Sequence, residues 1–171
     1  LSLHDALPIF VFAATNEGFL HAFDTSSGEE QFAFMPRELL PNLYPQFENA
    51  AGIDHPYGLD GPLSVYRIDT NENYVVDPGE KAYVFIGMRR GGSAYYALDV
   101  SDLHKPRLAW AIKGGPDGTS GFAELGQSWS KMTPVRMMIG GSERDVLIFG
   151  GGYDETQDTD QSATNDLLGL N

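Results

Sequence analysis

The sequence predicts an all-β chain, a partial β-propeller of two to three blades of antiparallel meanders with long loops. Three observations predict it. Short apolar runs alternate with polar turns along the chain, the pattern of strands and hairpins rather than of long helices. Punctuation is dense, with 20 glycines and 10 prolines among 171 residues, which shortens regular elements. A strand–turn–strand–turn–strand order also recurs.

The first copy of that order runs Val11-Phe12-Ala13-Ala14, Gly18, His21-Ala22-Phe23-Asp24 and Phe32-Ala33-Phe34. The second runs Val84-Phe85-Ile86-Gly87, Gly92, Tyr96-Ala97-Leu98-Asp99 and Leu108-Ala109-Trp110. Leu147-Ile148-Phe149-Gly150 begins a third. Repeats of this kind suggest blades, which bury their faces only by stacking on neighbours. A closed ring needs ~4–8 blades of four strands, so the chain is expected to be a fragment of a larger propeller. A β-sandwich with chance similarity between its strands is the competing architecture, because long loops make the spacing uneven.

The elements follow in order. Residues 1–9 match nothing downstream and read as a non-native, adapter-like leader; residues 10–171 read as the propeller segment. Phe10–Ala14, Phe19–Asp24 and Gln31–Met35 form a meander with turns at Thr15–Gly18 and Thr25–Gly28. Pro36–Leu40 suits one helical turn, since proline is tolerated at a helix start. Pro41–Gly61 reads as a long surface loop. Strands resume at Leu63–Ile68, Ala82–Gly87, Ala94–Val100 and Arg107–Ile112, and Gly114–Gly126 is a glycine-rich loop. Pro134–Ile139 and Asp145–Gly150 form a hairpin around Gly140-Gly141.

Composition narrows the function classes. Twenty-four acidic and 11 basic side chains give a formal charge of −13. Such a surface repels phosphate backbones and argues against nucleic acid as a partner. It suits cation binding. Cysteine is absent, so stability must come from packing or metal rather than disulfides. No apolar run approaches the ~20 residues that span a bilayer as a helix.

The sharpest motif is Asp69-Thr70-Asn71-Glu72-Asn73-Tyr74-Val75-Val76-Asp77. Oxygen-bearing side chains stand at loop positions one, three, five and nine, with Val75 at seven. An EF-hand-type loop uses side-chain oxygens at the first three of these, a backbone carbonyl at seven and a further ligand later. Calcium takes six to eight hard oxygens; Asp69, Asn71, Asn73, the Val75 carbonyl and Asp77 supply five, with Glu80 or water to complete the shell. Position six is Tyr74, where such loops carry glycine for a sharp turn. The alternative is a solvated acidic hairpin between Ile68 and Lys81. Asp154, Asp158, Asp160 and Asp166 could form a second site, but their irregular spacing fits a solvated loop better.

Other motifs fail. Gly126-Gln127-Ser128-Trp129-Ser130 has serine where a nucleophile elbow needs its final glycine. Gly150-Gly151-Gly152 is not followed by a helical pattern, so dinucleotide binding is not indicated. His21, His55 and His104 are scattered, and His21 reads as a core or inter-blade residue. Arg89-Arg90 reads as a turn with structural ion pairs. Phe10, Phe12, Tyr83, Phe85, Trp110 and Phe149 read as core. No catalytic residues or cofactor-binding residues are nominated.

Four stretches together resemble the C-terminal propeller of the PilC/PilY family of type IV pilus biogenesis factors: Val11–Phe34, Pro36–Leu43, Tyr83–Val100 and Ile148–Asp154. The arginine–glycine turn leading into Tyr95-Tyr96-Ala97-Leu98-Asp99 makes the combination specific. The resemblance implies a non-enzymatic protein of the Gram-negative outer membrane, cell surface or pilus tip. It implies a role in pilus assembly, twitching motility and adhesion, with minor pilins or host and abiotic surfaces as partners. It also implies a Ca2+ cofactor bound by Asp69, Asn71, Asn73, Val75 and Asp77. A generic blade repeat leaves two alternatives: a quinone-cofactor dehydrogenase fragment and a metal-free scaffold.

Overall fold

The computed structural model describes residues 10–52 and 54–155. Among them, nine strands form three antiparallel sheets, and none of the sheets closes on itself. The first sheet is a meander of β1 (Phe10–Ala14), β2 (Leu20–Asp24) and β3 (Glu30–Phe34). The second has four strands in sequence order, β4 (Leu63–Ile68), β5 (Lys81–Gly87), β6 (Ala94–Asp99) and β7 (Arg107–Lys113). The third is the hairpin of β8 (Thr133–Ile139) and β9 (Ser142–Ile148). One complete four-stranded meander flanked by two partial ones is the predicted all-β, partial-propeller arrangement.

The two central strands of the middle sheet, β5 and β6, are buried on both faces, and strand pleating divides the work. Ala82, Val84 and Ile86 of β5 join Ala94, Tyr96 and Leu98 of β6 in one cluster with Leu20, Leu39 and Leu59. Phe12, Phe32 and Phe34 of the first sheet pack against that cluster. The intervening residues Phe85, Tyr95 and Ala97 point the other way, into a cluster with Leu125 and Met132 that Leu147 and Phe149 cover. Side chains alternate across a strand, so an unbroken apolar run such as Tyr83–Gly87 marks a strand with a neighbour on each side. Aromatic rings seal both seams. Phe34 meets Tyr96 edge-on at 5.9 Å, and Tyr95 meets Phe149 at 4.8 Å between ring centres.

Ser128 shows why the glycine-rich segments are needed. It is fully buried, accepts the Met88 N–H at 2.7 Å and donates to the Ala94 carbonyl at 2.7 Å. Its hydroxyl pins the Arg89–Gly92 turn. At Gly91 an added Cβ would lie 1.8 Å from the Gly58 carbonyl oxygen, so only glycine permits that approach.

Three details differ from the sequence expectation. Pro41–Gly61 is not loop throughout: a 3-10 turn covers Arg37–Asn42 and a short helix, α1, covers Leu43–Glu48. No residue of α1 is buried, so no apolar face announced it. Strand β9 begins at Ser142 rather than Asp145, because Gly140 and Gly141 both take positive φ (59° and 80°). That is the backbone a two-residue hairpin turn requires. Of the two readings of His21, core or inter-blade, the first does not hold: it is half-buried, with Nδ1 3.3 Å from Glu30 Oε2 and its ring stacked on Phe23.

Candidate metal centre

The loop between β4 and β5 is anchored at its root by strand pairing, since Ile68 stands opposite Lys81. Residues 69–80 must therefore leave and re-enter the sheet at adjacent points, which closes the connection on itself. Four of the five nominated residues bond within it through their side chains.

Asp69 opens the loop as an acceptor. Its Oδ1 takes the Asn73 N–H at 3.2 Å, and its Oδ2 takes the Tyr74 N–H at 2.9 Å. Arg67 Nη2 lies 3.1 Å from the same Oδ2. Asn71 Oδ1 accepts from the Asn73 amide at 3.1 Å, and Asn73 Oδ1 accepts from the Val75 amide at 2.8 Å. These short-range bonds to the backbone two residues on are what asparagine does in turns. Both asparagines then converge on Asp77: Asn71 Nδ2 and Asn73 Nδ2 each donate to Asp77 Oδ2 at 2.8 Å. The Val75 residue contributes no side-chain polar atom, and its place in the set rests on its backbone carbonyl.

Glu80, the expected sixth oxygen donor, bonds to the loop's own donors. Buried at the base of the loop, its Oε1 accepts the Thr70 N–H at 2.6 Å and the Thr70 hydroxyl at 2.7 Å, while Oε2 accepts the Asp77 N–H at 3.0 Å. The Thr70 hydroxyl, followed by the Thr70 and Asp77 amides, holds its carboxyl below the usual glutamate value. Glu80 is a clasp between the two ends of the loop.

Tyr74 answers the objection at position six. It takes a left-handed conformation, φ 68°, as does Glu72 at φ 57°. A tyrosine therefore takes the left-handed backbone that EF-hand-type loops give to glycine. The donors present are hard oxygens: two carboxylates, two amide carbonyls and a backbone carbonyl. They suit calcium or magnesium rather than a soft metal. Among the described residues no group of three or more His, Cys, Asp and Glu side chains is placed to hold a metal, so any site here depends on the asparagine amides and the Val75 carbonyl. Of the acidic tail, Asp158, Asp160 and Asp166 lie outside the described residues.

The arginine turn departs in part from its expected ion pairs. Arg89 pairs with Asp60 at 3.3 Å. Arg90 instead donates to the Tyr57 hydroxyl at 2.9 Å and lies over the rings of Tyr57 and Trp129. Sequence reasoning missed this aromatic seat, because Tyr57 and Trp129 are remote in the chain.

Known proteins supply the next observation. A protein of Xylella fastidiosa, a type IV pilus biogenesis factor PilY1 homolog, is 34% identical over 159 residues, 92% of this chain. Type IV pilus biogenesis factor PilY1 of Pseudomonas aeruginosa is 31% identical over 150 residues, 86% of this chain. The crystal structure of the Pseudomonas aeruginosa PilY1 C-terminal domain overlays with a TM-score of 0.58 at 27% identity, covering 87% of this chain and 26% of that one. The resemblance to the PilC/PilY family is borne out. This chain is related in sequence and fold to a segment of PilY1, and it spans 12% of the length of each of those two relatives. No family model matches it. The PilY1 relatives carry the name of pilus biogenesis factors rather than of enzymes, and no helix among the described residues is long and apolar enough to cross a membrane.

Proposed function

We propose that this chain is the calcium-binding propeller part of a type IV pilus biogenesis factor. It acts outside the cytoplasm, at the outer membrane, cell surface or pilus tip, and supports pilus assembly, twitching motility and surface adhesion. The pilus role is drawn from the PilY1 names of its relatives. The calcium role is carried by one observation, the gathering of the Asn71, Asn73 and Asp77 side chains within hydrogen-bond reach of one another; an ion would take the Asp77 oxygen in place of the two amide N–H donors, with both amides turned to present their oxygens.

The chemistry follows from the donors. Asp69, Asn71, Asn73, the Val75 carbonyl and Asp77 would hold the ion. Calcium, when bound, supplies positive charge that offsets the two carboxylates and draws the loop oxygens together. The chain's own residues do the rest. The β4–β5 pairing fixes the loop root, Glu80 ties Thr70 to Asp77, and the turn at Tyr74 brings position nine back towards position one. An ion that binds only the folded loop stabilises it by mass action. Occupancy would thereby set the rigidity of a surface offered to minor pilins.

Calorimetric titration of the full-length protein with calcium, beside an Asp77→Ala variant, tests this reading. Heat from the parent protein that is lost in the variant is the expected result. Equal heats from both would end the assignment.

A further inference from the structure

We propose that Arg67 is a positioning residue for this loop: together with Tyr74 it does what glycine does at the sixth position of other calcium loops. Its bearing on calcium rests on the reading above; its bearing on the turn does not.

A side chain in the left-handed region is held there only when its surroundings determine it. Tyr74, at φ 68°, is 72% exposed, so no core packing imposes its conformation. What surrounds it is Arg67, projecting from β4. Arg67 Nη1 donates to the Tyr74 carbonyl at 3.1 Å, and its guanidinium carbon lies 5.0 Å from the centre of the Tyr74 ring. Arg67 Nη2 reaches Asp69 Oδ2 at 3.1 Å, the oxygen that accepts the Tyr74 N–H at 2.9 Å. Both backbone groups of Tyr74 are thus caught in one ring, the carbonyl by Arg67 and the amide by Asp69, with Arg67 closing the ring onto Asp69.

The side chain suits this task. A planar guanidinium can serve two acceptors through its fork while stacking on an aromatic face; an ammonium is a point charge and cannot do all three. Arg67 Nε is buried and has no acceptor among the described residues, so the polar contacts of the side chain are concentrated at its terminal nitrogens. The same contact brings a cation beside Asp69, one of the nominated calcium ligands. Arg67 therefore gives the metal-free loop its closed shape and its internal counter-charge together.

A double-mutant cycle in the full-length protein separates this role from simple charge pairing. The variants are Arg67→Lys, Tyr74→Gly and the pair combined, since Arg67→Lys keeps the positive charge. Amide exchange at position 74 is read in a chelator. Arg67→Lys is expected to speed exchange about tenfold when Tyr74 is present and less than about twofold when glycine stands there. Calcium affinity should fall several-fold on Arg67→Lys in the first background and stay level in the second. Equal acceleration in both backgrounds, or none in either, overturns the proposal. Coupling in the chelator without calcium binding by the parent protein supports the role of Arg67 in the turn and overturns the calcium reading alone.

Discussion

Asn71 Nδ2 donates to Asp77 Oδ2 over 2.8 Å, and the amide of Asn73 reaches the same oxygen at the same distance. One carboxylate oxygen thus draws two side chains from the far side of the loop. The Asp77 backbone N–H is held in turn by Glu80. Asp77 is the point through which the loop is tied.

Replacing it should loosen the loop even without metal. Asp77→Ala removes two charge-assisted hydrogen bonds from a partly exposed site. The expected cost is about 1–2 kcal/mol, or roughly 2–8 °C in Tm for a domain of this size. Thermal melts in a chelator check it. A variant that melts with the parent protein would mean the two amides are not holding the loop.

Acid should open the clasp at Glu80. The Thr70 hydroxyl and the Thr70 and Asp77 amides hold its carboxyl below the ordinary 4.5. A group with a depressed folded-state pKa adds stability above its unfolded value, and that stability is lost as pH falls through the lower, folded value. The contribution should therefore be complete above about pH 5 and fade below about pH 4.5. Glu80→Gln presents an amide N–H where backbone donors need an acceptor. It should lower Tm at neutral pH and narrow the gap from the parent protein as both are acidified. Parallel pH profiles would contradict this role.

Cutting the central core should destabilise far more than any change in the loop. Ile86 is fully buried in the cluster shared by the first and second sheets. Ile86→Ala should cost about 2–5 kcal/mol, read as a lower urea midpoint at constant m-value. A cost under about 1 kcal/mol would mean that the two sheets do not pack as described.

Much of the architecture was legible because strand physics is local. The alternation in Leu63–Ile68 and the apolar runs at Ala82–Gly87 and Ala94–Val100 located three strands of the middle sheet to within a residue at either end. The repeat of strand order anticipated sheets stacked face to face. Helix α1 was not legible, because it buries nothing and contains Pro45; its one clue was Asn49, left-handed at φ 43°, as helix ends often are. In the loop, the oxygen spacing picked out Asn71 and Asn73, which the fold brings to Asp77, and Asp69, which instead holds the amides of Asn73 and Tyr74. Glu80 was nominated for its carboxylate, yet its oxygens serve backbone donors, since nothing in the spacing shows which way a base residue faces. Arg67 was overlooked because a search for oxygen ligands passes over a cation that organises them.

The most direct measurement is the melting temperature of the full-length protein as calcium is raised from chelator conditions, with Asp69→Asn and Asp77→Asn variants alongside. Binding to the folded loop should raise the parent protein's stability progressively, by about 2.7 kcal/mol at a hundred times the dissociation constant, and leave both variants nearly flat. A parent protein that melts at one temperature across that range, or variants that rise with it, would contradict a calcium centre at Asp69–Asp77.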